Sequence, residues 1–358
     1  MSEQDTKNLD PITTPLLVGH DKAAKIFLES FQSGRLHHAW LLAGQRGIGK
    51  ATLAYHLARF LLKHGTQKTG GLLTPDEAPL DFTRASLEMA ADDPVFIRVA
   101  SGGEGNLKII ERGYNEKTKK RRTEIVVDDV RALHDFFEMT ASHNGWRIAI
   151  IDPADEMNRS AANALLKMLE EPPRKSILFL ITHAKGSLVP TIRSRCQQLL
   201  LNPLSDEDTK KVLHQRMPDL APGEVDKYAE LSGGSPGYAL RLSLYDGEGL
   251  NLVIASQFSG QGLNTKQVHD FAGTLGLATN EKKYFLFLDI LTREIAGKIK
   301  ALAETGAAKS RLDCWLKLWE KVDRILTEGE GINLGRKAML LVLLSEMAAV
   351  GRQEHKAA

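Results

Sequence analysis

The chain has 358 residues, beyond the size at which a single hydrophobic core stops growing, so two or three domains are expected. Apolar residues make up 42% and charged residues 26%, the composition of an ordinary soluble protein. Lys+Arg 47 against Asp+Glu 45 leaves +2, which excludes nucleic-acid binding through bulk charge and leaves any DNA contact to a local patch.

Residues 21–34 predict a helix ending at Gly34, with Ala23, Ile26, Phe27 and Phe31 at helical spacing. Ala39 to Ala43 reads as a short buried strand. It runs into the loop Gly44-Gln45-Arg46-Gly47-Ile48-Gly49-Lys50, and a helix follows from Lys50 to about Lys63. Strand, glycine loop and helix in succession are the context that a phosphate-binding loop requires. Residues 64–93 predict loop with a short helix, and Val95 to Val99 a second strand. Gly102 to Arg122 is polar and reads as a surface excursion, a hairpin, ending in Lys117, Lys119, Lys120, Arg121 and Arg122. That charge run fits DNA phosphates or a solvated tip, and the residues leave both open.

Val127 opens a helix with Asp128 and Asp129 in its first turn, favourable against the helix dipole. Trp146 to Asp152 predicts the third strand, Ala161 to Glu171 a helix stopped by Pro172-Pro173, Ile177 to Ile181 a fourth strand and Gln198 to Leu201 a fifth. Strands alternating with helices imply an α/β, doubly wound parallel sheet. After Pro203 the strand signal ends. Ser205 is expected to cap a helix, Gly233 to Gly237 starts another, and helical patterning resumes to the end, with Trp315 and Trp319 packing a helix interface. The expected division is a sheet domain over 1–203, a small helical lid over 204–247 and a C-terminal helical domain over 248–358.

Cys196 and Cys314 are too few for a four-cysteine zinc site or a disulfide framework, so buried thiols in a reducing cytosol and no metal are expected. The polar start Met1 to Lys7 lacks the apolar core of a signal peptide. The apolar stretch Ala338–Leu344 is far shorter than the ~20 residues that span a bilayer. A soluble, cytoplasmic protein with no membrane contact is expected.

The chemistry concentrates in three places. Gly44, Gly47, Gly49 and Lys50 meet the needs of a phosphate cradle, since glycines let backbone N–H groups turn inward and Lys50 reaches the outer phosphates. The next position, where a hydroxyl ordinarily ligates magnesium, is Ala51. Thr52 comes one residue late, a rotation of about 100° around the helix. Asp152 ends a buried strand where it can hold magnesium through water. The position after it, where a base would polarise the attacking water, is Pro153, and Asp155 and Glu156 are expected to cap the following helix. ATP or ADP binding without appreciable turnover is the expectation. Thr182 or His183 would monitor the γ-phosphate. The third place is Ser194-Arg195-Cys196, whose arginine is suited to stabilising charge on a neighbour's nucleotide.

The stretches Ser33 to Leu42, Asn163 to Pro173 and Pro190 to Cys196, taken in order, resemble the clamp-loader branch of the AAA+ ATPases. Within it the match is best to the delta-prime subunits of bacterial DNA polymerase III. The resemblance covers residues 16–245 firmly. Asn333 to Lys337 looks compatible with the family's C-terminal collar. It implies a P-loop AAA+ sheet domain, a small helical lid and an all-α collar. It also implies a hetero-pentamer with motor (tau/gamma) and delta subunits that places a sliding clamp on primed DNA, and Arg195 as an arginine finger in trans. The zinc module common in that branch is absent from this sequence. The family's nucleotide-sensing arginine falls at Gly237, with Arg241 one helical turn later. The alternative is an active motor subunit or a related DNA remodeller, and a freestanding nucleotide-binding regulator is a third reading.

Overall fold

The computed structural model describes residues 10–65, 84–114, 122–138, 145–184, 186, 188–259, 262–306, 309–331 and 335–357. The basic residues Lys117 to Arg121 and most of the segment 64–93 fall outside these. Two compact units are present, Met1–Leu240 and Arg241–Ala358.

The first unit is built on five parallel strands: β1 (Ala39–Ala43), β2 (Leu107–Ile110), β3 (Arg147–Ile151), β4 (Ser176–Thr182) and β5 (Gln197–Leu200). Their order across the sheet is β2-β3-β4-β1-β5. The three central strands are buried at every position because helices cover both faces, so they read as continuous apolar runs. Alternate residues serve opposite cores. Trp40, Leu42, Ile148, Ile150 and Phe179 face α1 (Asp21–Gln32) and α2 (Lys50–His64). Leu41, Ala149, Ile151, Leu178 and Leu180 face α4 (Val127–Glu138) and α5 (Arg159–Glu170). Trp40 is the largest of these side chains. It is 1% exposed, its ring lies 5.1 Å from that of Phe27, and its Nε1–H donates to His37 O.

Three expectations are corrected. Val95 to Val99 forms no strand but lies in α3 (Pro94–Ala100). The Asp93 carboxylate accepts from Val95 N at 2.8 Å and Pro94 sits at the first helical position, so cap chemistry overrides the β-branched run. The true second strand, β2, lies inside the segment expected as a surface excursion. Among the described residues it pairs with β3 alone, and its four residues, partly exposed and interrupted by Lys108, make too short an apolar run to stand out in a polar segment. The helix α5 is capped by neither Asp155 nor Glu156. Asn158 accepts from Ala161 N at 2.9 Å, being the residue immediately before the first turn.

One buried cation joins the start of the described chain to the sheet domain. Arg59 is fully buried, its guanidinium donating to Thr14 O at 2.7 Å and Ile12 O at 3.4 Å and lying 4.6 Å from the centre of the Phe96 ring. Burial lowers its pKa to about 10. Beyond the sheet come α6 (Asp206–Arg216), capped by Ser205, then α7 (Pro222–Ser232) and α8 (Pro236–Leu244).

The second unit is helical: α9 (Gly247–Phe258), α10 (Thr265–Leu275), α11 (Glu281–Glu304), α12 (Lys309–Gly331) and α13 (Arg336–Ala357). Trp315 is buried against Phe258 at 4.8 Å, whereas Trp319 remains 37% exposed, so only the first of the pair packs as expected. Cys196 is buried as expected but Cys314 is only partly so, its thiol donating to Gln353 Oε1 at 2.9 Å. Among the described residues no helix is long and apolar enough to cross a membrane.

Trp40→Ala should cost about 3–5 kcal/mol through lost burial and the cavity it leaves. A urea midpoint unchanged from the parent chain would contradict this packing.

Candidate functional site

The glycine loop joins β1 to α2, and its shape is set by where its carbonyls go. Lys50 Nζ donates to Gly44 O at 2.7 Å and to Gln45 O at 2.5 Å. Ser235 Oγ donates to Arg46 O at 2.9 Å, and Gly237 N to Gly47 O at 2.9 Å. His20 Nε2 lies 2.7 Å from Ile48 O. A carbonyl only accepts, so that nitrogen carries the proton, and burial keeps the ring neutral by holding its pKa below the usual value. Leu53 N completes the set on Gly49 O at 2.9 Å. Six consecutive carbonyls are therefore engaged by the body of the protein.

Positive φ calls for glycine at two of these positions. Gly47 has φ +83°, and a Cβ there would stand 2.5 Å from Ser235 Oγ. Gly49 has φ +104°, in the left-handed region. The roles of His20 and Ser235 were not foreseen from the sequence, because neither belongs to a local motif.

Three titratable groups around the loop are displaced from their ordinary values. Lys50 is 3% exposed; burial lowers its pKa to about 8, against the attraction of Asp152 and Asp155. Burial and the nearby Glu111 charge raise Asp152 to about 6, with Lys50 opposing. His183 is lowered to about 4, first by burial and then by the Lys50 charge.

Thr182 is fully buried, its carbonyl accepts from Gly44 N at 3.3 Å, and its hydroxyl has no hydrogen-bond partner among the described residues. His183 Nδ1 is likewise buried without one, while its backbone N–H donates to Asp155 Oδ1 at 3.1 Å. Both candidate monitors of a terminal phosphate thus sit at the end of β4, beside the loop.

The residues fit a phosphate-bearing nucleotide better than a magnesium ion. Ala51 packs its methyl against the core and offers no oxygen. Thr52 follows it on α2, half-buried. Pro153 provides no base at the position after Asp152. Asp155 is engaged by His183 N, and Glu156 pairs with Arg112 at 2.7 Å. Gly237, which has no side chain, gives its backbone N–H to the loop. Arg241 is held by Asp289, which also binds Arg293 at 3.1 Å.

In the Ser-Arg-Cys loop each residue has a separate task. It follows a single helical turn, Pro190–Arg193, whose Ile192 is fully buried. Ser194 Oγ and Arg195 Nη1 both donate to Thr191 O, each at 3.1 Å. Arg195 Nη2 pairs with Glu170 Oε1 at 2.8 Å. Cys196 anchors the loop in the core, and burial raises its thiol to about 12, so it stays protonated. The Arg195 side chain remains 36% exposed.

Comparison with known proteins places these features in one family. The family model described as "DNA polymerase III, delta subunit" matches residues 19–205, spanning both the glycine loop and the Ser-Arg-Cys loop. The chain is 35% identical over 205 residues to DNA polymerase III subunit delta' of Pseudomonas aeruginosa, covering 57% of this chain and 55% of that protein. It is 31% identical over 215 residues to the Escherichia coli subunit delta', covering 60% and 56%. Against DNA polymerase III subunit gamma of Buchnera aphidicola subsp. Schizaphis graminum it is 27% identical over 290 residues, covering 80% and 69%. The match spans a little over half the length of those two delta' relatives.

The raised pKa of Asp152 implies a pH-dependent penalty. Between about pH 4 and 6 the unfolded chain releases this proton first, so folding stability falls as pH rises and the loss persists above pH 6. Asp152→Asn should therefore stabilise the nucleotide-free protein by about 1–3 kcal/mol at pH 7, with the gain vanishing below pH 4. A gain independent of pH in paired urea titrations would contradict it.

Proposed function

This chain belongs to the DNA polymerase III delta subunit family, and from that membership we propose that it is the non-hydrolysing subunit of a clamp loader. It stands beside motor (tau/gamma) and delta subunits in a hetero-pentamer in the cytoplasm and helps place a sliding clamp on primed DNA. Its own pocket holds ATP or ADP through Gly44, Gly47, Gly49 and Lys50 without turning it over. Arg195 enters the neighbouring subunit's site and stabilises charge on the transferred phosphate. The helical C-terminal unit serves as the collar, and α6 to α8 as the lid.

The observation that carries this reading is a contrast between two sites in one unit. The nucleotide loop is fully built, yet Ala51 and Pro153 remove the magnesium ligand and the base. The arginine loop is intact, with an exposed, oriented guanidinium. Each missing factor of ten in rate is about 1.4 kcal/mol of barrier, and the loss of both groups raises the barrier by several kcal/mol. A cation fixed at the right place needs no such machinery of its own.

The match to gamma subunits over 80% of the chain favours a second reading, an active motor. The two readings separate in one assay. The purified chain should show no magnesium-dependent ATP turnover. In the reconstituted assembly, Arg195→Ala should lower DNA-stimulated ATPase at least about tenfold, the scale of losing one transition-state donor. Lys50→Ala should lower it less than about threefold, since no step runs in this pocket. Brisk turnover by the isolated chain, or a Lys50→Ala loss matching that of Arg195→Ala, would establish the motor reading. Failure to co-elute with gamma and delta subunits would favour a freestanding regulator.

A further inference from the structure

Arg195 is held at both ends of its guanidinium by partners from different elements. Nη1 donates to Thr191 O at 3.1 Å, on the helical turn after β4, and Nη2 pairs with Glu170 Oε1 at 2.8 Å, at the C-terminal end of α5. Both elements are fixed from below. Ile192 is fully buried and Leu169 is 3% exposed, in the same core cluster. The Leu169 carbonyl also lies 3.0 Å from His38 Nε2, which ties the end of α5 to the residue before β1. The Glu170 side chain itself is 52% exposed.

A planar guanidinium held at two of its nitrogens has its plane defined. It has five N–H donors, and these two bonds use two of them. The pair contributes little to folding, because both side chains are more than a third exposed and solvent screens them. Its effect falls on orientation. An arginine that must enter another molecule's site loses rate when it searches among rotamers, and gains when it is already presented.

We propose that Glu170 is a positioning residue that presents Arg195 to the phosphates of a nucleotide bound by the neighbouring subunit. This rests on the trans-acting role of Arg195 given above. Glu170 does not touch the phosphates. Its carboxylate sets the approach of the guanidinium and competes only weakly for its charge, since an exposed ion pair is readily displaced by a polyanionic phosphate chain.

The test uses the reconstituted assembly with clamp and primed DNA, reading kcat and KM for ATP. Glu170→Ala should lower kcat about three- to tenfold with KM within about twofold, the signature of an interaction delivered in the transition state. Glu170→Gln, which keeps an oxygen acceptor for Nη2, should recover most of the rate. In the Arg195→Ala background, Glu170→Ala should change nothing further, because the two act as one unit. The thermal midpoint of the Glu170 variants should stay within about 2 °C of the parent, as expected for an exposed site. Parental or higher kcat in Glu170→Ala would overturn the proposal, as would an equal loss in the Arg195→Ala background. If Arg195→Ala is itself silent, the trans-acting reading fails and this one with it. If Arg195→Ala is impaired while Glu170→Ala is not, only the positioning role is lost.

Discussion

The carbonyl oxygens of Gly44 through Gly49 each find a donor in the body of the protein. A loop carbonyl buried without a partner costs on the order of 1–3 kcal/mol, so six in a row demand an explanation. Donors arrive from three regions: His20 before the first helix, Lys50 and Leu53 within the second, and Ser235 and Gly237 at the start of α8. This ties three distant parts of the first unit to one turn of backbone. The close approach of Ser235 and Gly237 is possible only because Gly47 has no side chain. The loop is thus shaped by donors that the fold itself supplies.

Displaced pKa values in a buried cluster ordinarily point to catalysis. Lys50, Asp152 and His183 form such a cluster, but their displacement follows from burial first. The Glu111 charge adds to it at Asp152 and the Lys50 charge at His183, while the Asp152 charge opposes it at Lys50. Positions 51 and 153 beside it are an alanine and a proline, which supply neither a hydroxyl nor a base. The glycine loop keeps its architecture, while the Arg195 guanidinium is held at the end of α5 by Thr191 O and Glu170 Oε1.

What could be read from the chain follows how local each signal is. β1, β3, β4 and β5, the glycine loop and the Ser-Arg-Cys triplet were all legible, since each is a short contiguous pattern with matching flanks. α3 was misread because Val95-Phe96-Ile97-Arg98-Val99 is rich in strand-forming residues. The deciding information lay just upstream in Asp93-Pro94, an N-cap followed by a first-turn proline. β2 was missed because an edge strand buries only part of its surface and carries a lysine in its middle. The contacts of Ser235 with Arg46 and of Glu170 with Arg195 were invisible for a different reason: they join segments 189 and 25 residues apart, and only the folded chain brings them together.

The buried guanidinium of Arg59 has a practical corollary for anyone handling this polypeptide. Its hydrogen-bond acceptors Ile12 O and Thr14 O belong to the stretch just ahead of the first long helix. Trimming the chain back to Pro15 would strand a positive charge in an apolar setting beside Phe96. Proteolytic nicking there should be felt throughout the sheet domain rather than only at its margin.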